Sequence, residues 1–168
     1  MDMIQKGTAM EPYRGNYFED FVHGRTFLTP LRTVTESDIV RFAGLSGDFN
    51  PLHMDESFAK ETPHGTRIAH GMLTASIASG LAAQAGLFDG TALALMAVQM
   101  KFTAAVYPGD TVQLALTVTG TKKTPDGTSG IVQLKTHMEN QKKEVVSDGK
   151  WTLLVKTKAY HDTDRGSV

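Results

Sequence analysis

The segment Gly47-Asp48-Phe49-Asn50-Pro51-Leu52-His53 sets a carboxylate and an imidazole five residues apart across an Asn-Pro step, and Ile68-Ala69-His70-Gly71-Met72 follows at the head of a small-residue apolar run. Proline fixes its own φ and keeps the residue before it out of the helical region, so Asp48 and His53 are expected on a bent loop that turns both inward. A carboxylate beside an imidazole can hold one water between them, one group accepting a proton while the other donates. That is equipment for adding or removing water. The same residue types are ordinary turn formers, and the spacing alone equally allows Asp48 to cap a turn while His53 sits satisfied beneath the loop.

The elements that must position these residues follow from pattern. Thr35-Glu36-Ser37-Asp38 places a capping threonine before acidic residues, with Ile39, Phe42 and Ala43 on one face, and predicts a short helix. Asp55-Glu56-Ser57 opens another containing Phe58 and Ala59, so two helices bracket the Asp-His loop. Pro63 and Gly65 keep 62–70 irregular. From Gly71 to Gln84 the residues are apolar or small nearly all round, which predicts a buried helix in which Ser76 and Ser79 bond back to preceding carbonyls. Tyr17 to Leu28 reads as a first strand and Leu93 to Tyr107 as a long apolar one. Val112, Leu114, Leu116 and Val118 then alternate with polar neighbours. Pro125-Asp126-Gly127 marks a turn, Ile131 to Met138 a further strand, and Trp151, Leu153 and Val155 alternate in the last, giving an antiparallel meander. The domain is read as 17–158, with an extension over 1–16 and a polar tail over 159–168.

Composition narrows the function. The 168 residues fit one domain, and a net charge of −1 without a long basic run leaves no footprint for nucleic acid. Lys122-Lys123 and Lys142-Lys143 are short pairs, suited to strand ends or to the phosphates of a ligand. With no cysteine there is no thiolate chemistry, disulfide or Cys-based metal site, which fits a cytoplasmic location. The N-terminus has no secretory pattern, and Gly71 to Leu87 is too short and too interrupted by polar residues to span a membrane. His53, His64, His70 and Asp48 match neither the helical His-Glu-x-x-His spacing nor a Cys/His site, so no metal is expected. Arg67 is a candidate for a phosphate or substrate carboxylate, or a solvated loop residue. Met72, Met96 and Met100 are candidates for lining an apolar ligand pocket, or core filler.

The run Ser46 to Asp55, with Phe58-Ala59 and then Ile68-Ala69-His70-Gly71-Met72, resembles the signature of the MaoC-like, or (R)-specific enoyl-CoA hydratase, family. The likeness extends through Thr33, Glu36, Ile39, Gln99-Met100-Lys101-Phe102 and Gly109-Asp110. It implies an α+β hot-dog fold, an antiparallel sheet wrapped around one long helix, working on acyl thioesters as a homodimer or a multiple of one. By that resemblance Asp48 and His53 bind the catalytic water, supported by Asn50. The Gly71 N–H binds the thioester oxygen, and Ser79 helps orient the carboxylate. A donor at that oxygen is required because water adding at Cβ drives negative charge onto it. Glycine at the head of a helix admits close approach and offers free N–H groups, although Gly71 could equally be the plain start of a packed helix. The family commonly carries proline a few residues after the phenylalanine corresponding to Phe102, where this chain has Ala104-Ala105-Val106. That difference bears on strand curvature and edge pairing.

The resemblance therefore implies reversible hydration of a trans-2-enoyl thioester, carried on coenzyme A or acyl carrier protein, to the (R)-3-hydroxyacyl thioester. No cofactor is needed. Hot-dog thioesterases and non-catalytic acyl-thioester-binding subunits share the scaffold.

Overall fold

In the computed structural model, which describes residues 15–160, a 3₁₀ turn (Phe18–Asp20) and two short strands, β1 (Thr26–Leu28) and β2 (Arg32–Thr33), precede three helices, α1 (Glu36–Ser46), α2 (Pro51–Met54) and α3 (Glu56–Lys60). The long helix α4 (Gly71–Gln84) follows, and then strands β3 (Ala92–Phe102), β4 (Thr111–Lys123), β5 (Ser129–Asn140) and β6 (Val145–Lys156). Every strand pairing is antiparallel, in the order β1-β4-β5-β6-β3, with β2 also on β4. Strands β4 to β6 form the expected meander, because short turns join them. Strand β3 pairs with β6 and becomes the far edge. Of the expected N-terminal extension only Gly15 and Asn16 lie among the described residues, and their N–H groups bond to Asp89 O and Leu87 O. All but the first two residues of the expected tail lie outside them.

Two expected strands are shorter than their apolar runs. Only Thr26–Leu28 of the first is extended; before it, the Asp20 carboxylate accepts the Tyr17 N–H and Phe18 O accepts the Phe21 N–H, closing a turn that puts Phe21 against Phe27 and Phe88. Strand β3 stops at Phe102, and the chain beyond it bends so that Val106 O takes the Ala69 N–H at 2.7 Å. The segment that lacks the family's proline thus ties down the approach to α4.

Helix α4 has the bounds its sequence predicts, but one face only is buried. Leu73, Ile77, Ala78, Leu81 and Ala82 join Leu114, Leu116, Leu134, Met138 and Trp151 in a single core. Each large apolar side chain so buried contributes about 1.5–3 kcal/mol. The opposite stripe, Met72, Ser76, Ser79 and Ala83, is exposed, because in a single chain the sheet covers one side of the helix. No helix among the described residues is long and apolar enough to cross a membrane.

The short helices are held by polar contacts. Thr35 and Asp38 form the expected capping box, and Arg32 pairs with Asp38 at 2.8 Å. Burial pushes the Asp38 carboxyl up, but the Thr35 N–H and hydroxyl and the Arg32 guanidinium outweigh it and hold it below 3.8. Arg67 grips both oxygens of Glu36, at 2.6 and 3.1 Å, and Glu56 at 3.3 Å, joining α1, α3 and the strap before α4. The Thr66 hydroxyl bonds Glu56 as well, and it is the main reason, ahead of Arg67 and against burial, that the Glu56 carboxyl lies below 4.5.

Two expectations follow from this framework. A carboxylate with a depressed folded-state pKa stabilises the fold above its unfolded value and loses that contribution as pH falls through the folded one. Urea unfolding should therefore show stability declining below about pH 5, and Glu56→Gln should make that decline shallower; an unchanged acid slope would exclude the clamp as a contributor. At Gly149, a Cβ would collide with the Gln99 carbonyl oxygen and lie 2.9 Å from Thr136 Oγ. Gly149→Ala should lower the urea midpoint by the equivalent of about 1–3 kcal/mol, and a native midpoint would show that β3 can yield there.

Candidate active site

Helix α1 ends at Gly47, in the left-handed conformation at φ 77°, and the chain turns into the Asp48 segment. Asp48 N–H donates to Ser46 Oγ at 3.2 Å, and Asn50 N–H donates to Asp48 Oδ1 at 3.3 Å. Asn50 is extended, as a residue before proline should be, and its side-chain oxygen accepts the Leu52 N–H at 3.0 Å. It is thereby the N-cap of α2, with Pro51 preorganised for the first helical position. His53 consequently sits on a one-turn helix, where the sequence suggested a bent loop. The Asn-Pro step starts that helix because its restrictions suit a cap followed by a first turn.

The fold brings His53 and His70 face to face. Their ring centroids are 3.8 Å apart and the planes meet at 33°. His53 Nδ1 bonds Ile68 O at 2.8 Å and His70 Nε2 bonds Asp48 O at 2.9 Å. A carbonyl oxygen only accepts, so each of these nitrogens carries hydrogen, which leaves His53 Nε2 free to accept. An Asp48 carboxylate oxygen and one ring nitrogen from each histidine lie within 4.8 Å of one another. One water at an ordinary distance of about 2.8 Å from each neighbour bridges a gap of that size. Sequence spacing had argued only against a metal motif and had set Asp48 and His53 together; the fold adds His70, and by residue type alone the three could ligate a metal. Of the His70 nitrogens, Nε2 already donates to the Asp48 carbonyl and Nδ1 is buried, so neither offers an open lone pair to solvent.

Beside His53 a cleft of about 400 Å³ is lined by Gly71, Thr74, Phe102, Ala104 and Val106. Gly71 is the first residue of α4, and the N-cap residue, His70, makes no side-chain cap, so the first-turn N–H groups lack that acceptor. The Phe102 ring lies so close that a Cβ at Gly71 would meet it at 3.0 Å. Asp48 is exposed beside this cleft rather than among its walls. Thr74, buried one turn along α4, was not singled out by the sequence; its hydroxyl bonds back to His70 O at 3.3 Å.

Other candidates are not gathered here. Ser79 lies two turns beyond Gly71, about 12 Å along the helix, in a separate cleft with Phe88, Leu93 and Trp151, so within the chain it does not reach Asp48. Arg67 is occupied by Glu36 and Glu56 and is not free for a substrate carboxylate. None of Met72, Met96 and Met100 lines the His53 cleft: the first two are exposed on α4 and β3, and Met100 lies against the core. The long-range pairing of Arg67 and the exposed faces of α4 and β3 decide this, and neither is written in a local spacing.

Comparison with known proteins places these features in a family. Residues 20–141 match the MaoC like domain. The chain is 44% identical over 108 residues to Protein MaoC of Klebsiella aerogenes, covering 64% of this chain but 32% of that protein. It is 43% identical over 105 residues to the (R)-specific enoyl-CoA hydratase of Rhodospirillum rubrum, covering 62% of this chain and 71% of that one. A Mycobacterium tuberculosis protein described as having a double hotdog fold superposes with a TM-score of 0.75 at 20% identity, over 92% of this chain and 47% of that one, which bears on fold alone. The sheet curled about α4 is therefore a hot-dog fold, and the chain belongs to the MaoC-like dehydratase family.

Proposed function

We propose that this protein catalyses the reversible hydration of a trans-2-enoyl-CoA to the (R)-3-hydroxyacyl-CoA. The observation that carries the reading is the gap between Asp48 and His53 beside a cleft that also holds the head of α4. The similarity to the Rhodospirillum rubrum (R)-specific enoyl-CoA hydratase supports both the substrate class and the stereochemistry.

The chemistry follows from which groups accept and which donate. The Asp48 carboxylate and the bare Nε2 of His53 are both acceptors, so a water between them is held by its two O–H bonds and presents an oxygen lone pair. As that oxygen bonds to Cβ, Asp48 draws off a proton and the double-bond electrons move through Cα to the thioester oxygen. Charge arriving there meets the Gly71 N–H at the positive end of α4. Asp48 then returns that proton to Cα, while the water's second hydrogen stays on the new hydroxyl and is held by His53 Nε2, which completes the addition of one water.

The exposed surface supports a dimer. On edge strand β3, Leu93, Leu95, Met96, Val98 and Phe102 are exposed, and Met72 on α4 is 63% exposed. An apolar strand with an open edge pairs readily, so we take this edge, with the bare stripe of α4, as the contact with a second copy. Met72 and Met96 then fill that contact instead of an acyl pocket.

Loss of the conjugated enoyl absorbance with crotonyl-CoA and longer trans-2-enoyl-CoAs tests the reaction. The native protein should consume the absorbance without releasing free thiol, and Asp48→Asn and His53→Ala should each slow it by about 10²–10⁴-fold. Free thiol, or silence on every chain length, would overturn the reading. Light scattering of the native protein should give a dimer mass and Val98→Lys a monomer; a native monomer would remove the proposed contact.

A further inference from the structure

His70 touches every part of the proposed site. Its backbone precedes Gly71, and its carbonyl takes the Thr74 N–H at 3.1 Å in the first turn of α4. Its Nε2–H holds the Asp48 carbonyl at 2.9 Å, and its ring face covers His53 at 3.8 Å while Phe42 closes the other side at 5.1 Å. The side chain is 2% exposed, and its Nδ1 is buried with no hydrogen-bond partner. A buried polar atom left unanswered costs about 1–3 kcal/mol, which phenylalanine or leucine at this place would avoid. Packing alone therefore does not account for an imidazole here.

We infer that His70 is a positioning residue for this reaction, resting on the function proposed above: it fixes the Asp48 peptide and the plane of the His53 ring relative to the Gly71 N–H. The three contacts act on different elements. Without the Nε2–H bond, the Asp48 segment retains the side-chain bonds to Ser46 and Asn50, both within a few residues of it and on the exposed surface, and nothing in that set relates it to α4. Without the ring face, His53 keeps its Ile68 bond, which fixes one nitrogen but leaves rotation about that bond open. Misplacement of reacting groups by about 1 Å costs on the order of a hundredfold in rate, so small shifts suffice.

The test separates the donor from the bulk. His70→Phe keeps an aromatic face against His53 but removes the bond to Asp48; His70→Gln keeps an N–H donor and removes the ring. With the fold verified by circular dichroism and melting, His70→Phe should lower kcat by roughly ten- to a hundredfold with KM little changed, and His70→Gln should recover part of that loss. A merely structural role predicts the reverse order, with His70→Phe the better enzyme, and native kcat in His70→Phe would overturn the inference. Nitrogen-15 NMR of the imidazoles gives a readout independent of turnover. His53 should carry hydrogen on Nδ1 in both the native protein and His70→Ala, held there by the Ile68 carbonyl, but its ring nitrogens should relax as a rigid ring in the native protein and as a more mobile one in His70→Ala. An unchanged His53 signal would overturn the inference. Should the native protein hydrate no thioester, the NMR comparison still decides whether His70 holds His53, and the failure then belongs to the proposed function alone.

Discussion

Two stretches of irregular backbone, around Asp48 and Ile68, meet beside the head of α4. The Asp48 carbonyl and the Ile68 carbonyl are each answered by an imidazole N–H, one from His70 and one from His53. This constraint explains much else. A backbone carbonyl is a strong acceptor, and each of these pins one ring by one nitrogen. Pinned in that way the rings lie 3.8 Å apart, and His53 is left with Nε2 as its acceptor. Two backbone debts thus set the tautomer and orientation on which the proposed chemistry depends.

The sheet's contribution is to put a helix terminus where that chemistry needs it. Leu73, Ile77 and Leu81 press α4 onto the sheet, and the Ala69 to Val106 bond fixes the strap before it, so Gly71 has little freedom to move. Phe102 then closes over Gly71 so tightly that no larger residue fits without displacing the ring. Glycine is needed here for space, since the aromatic ring comes close to its peptide. The same arrangement leaves one side of α4 and the outer edge of β3 bare, which is the physical ground for the proposed second copy.

Much of this was legible in sequence, and unevenly. The bounds of α4, the capping box at Thr35 and the β4 to β6 meander are set by local patterns, and each of those patterns is obeyed. What escaped depended on long-range geometry. Phe18–Asp20 became a turn because Asp20 could reach back to Tyr17, and β3 ended early because Val106 was drawn to Ala69. Arg67 was readable as a ligand for an anion but not as the partner of Glu36, 31 residues away. His70 was visible as a residue beside Gly71. Its bond to Asp48 spans 22 residues and follows from no spacing rule.

The short helices show why a site of this kind cannot be separated from its scaffold. A helix of four or five residues is unstable in isolation, since nucleation costs more than so few bonds return. Helices α2 and α3 therefore exist because Asn50 and Asp55 cap them and because Arg67 anchors Glu56 to α1. His53 rides on α2, so the position of its ring inherits the stability of that clamp. Loosening Glu56 or Arg67 would act on the reaction through geometry, without either residue touching a substrate. On this argument the exposed ion pairs around Arg67, individually weak in water, matter less for the stability of the fold than for keeping one imidazole in register with a helix terminus built from a different part of the chain.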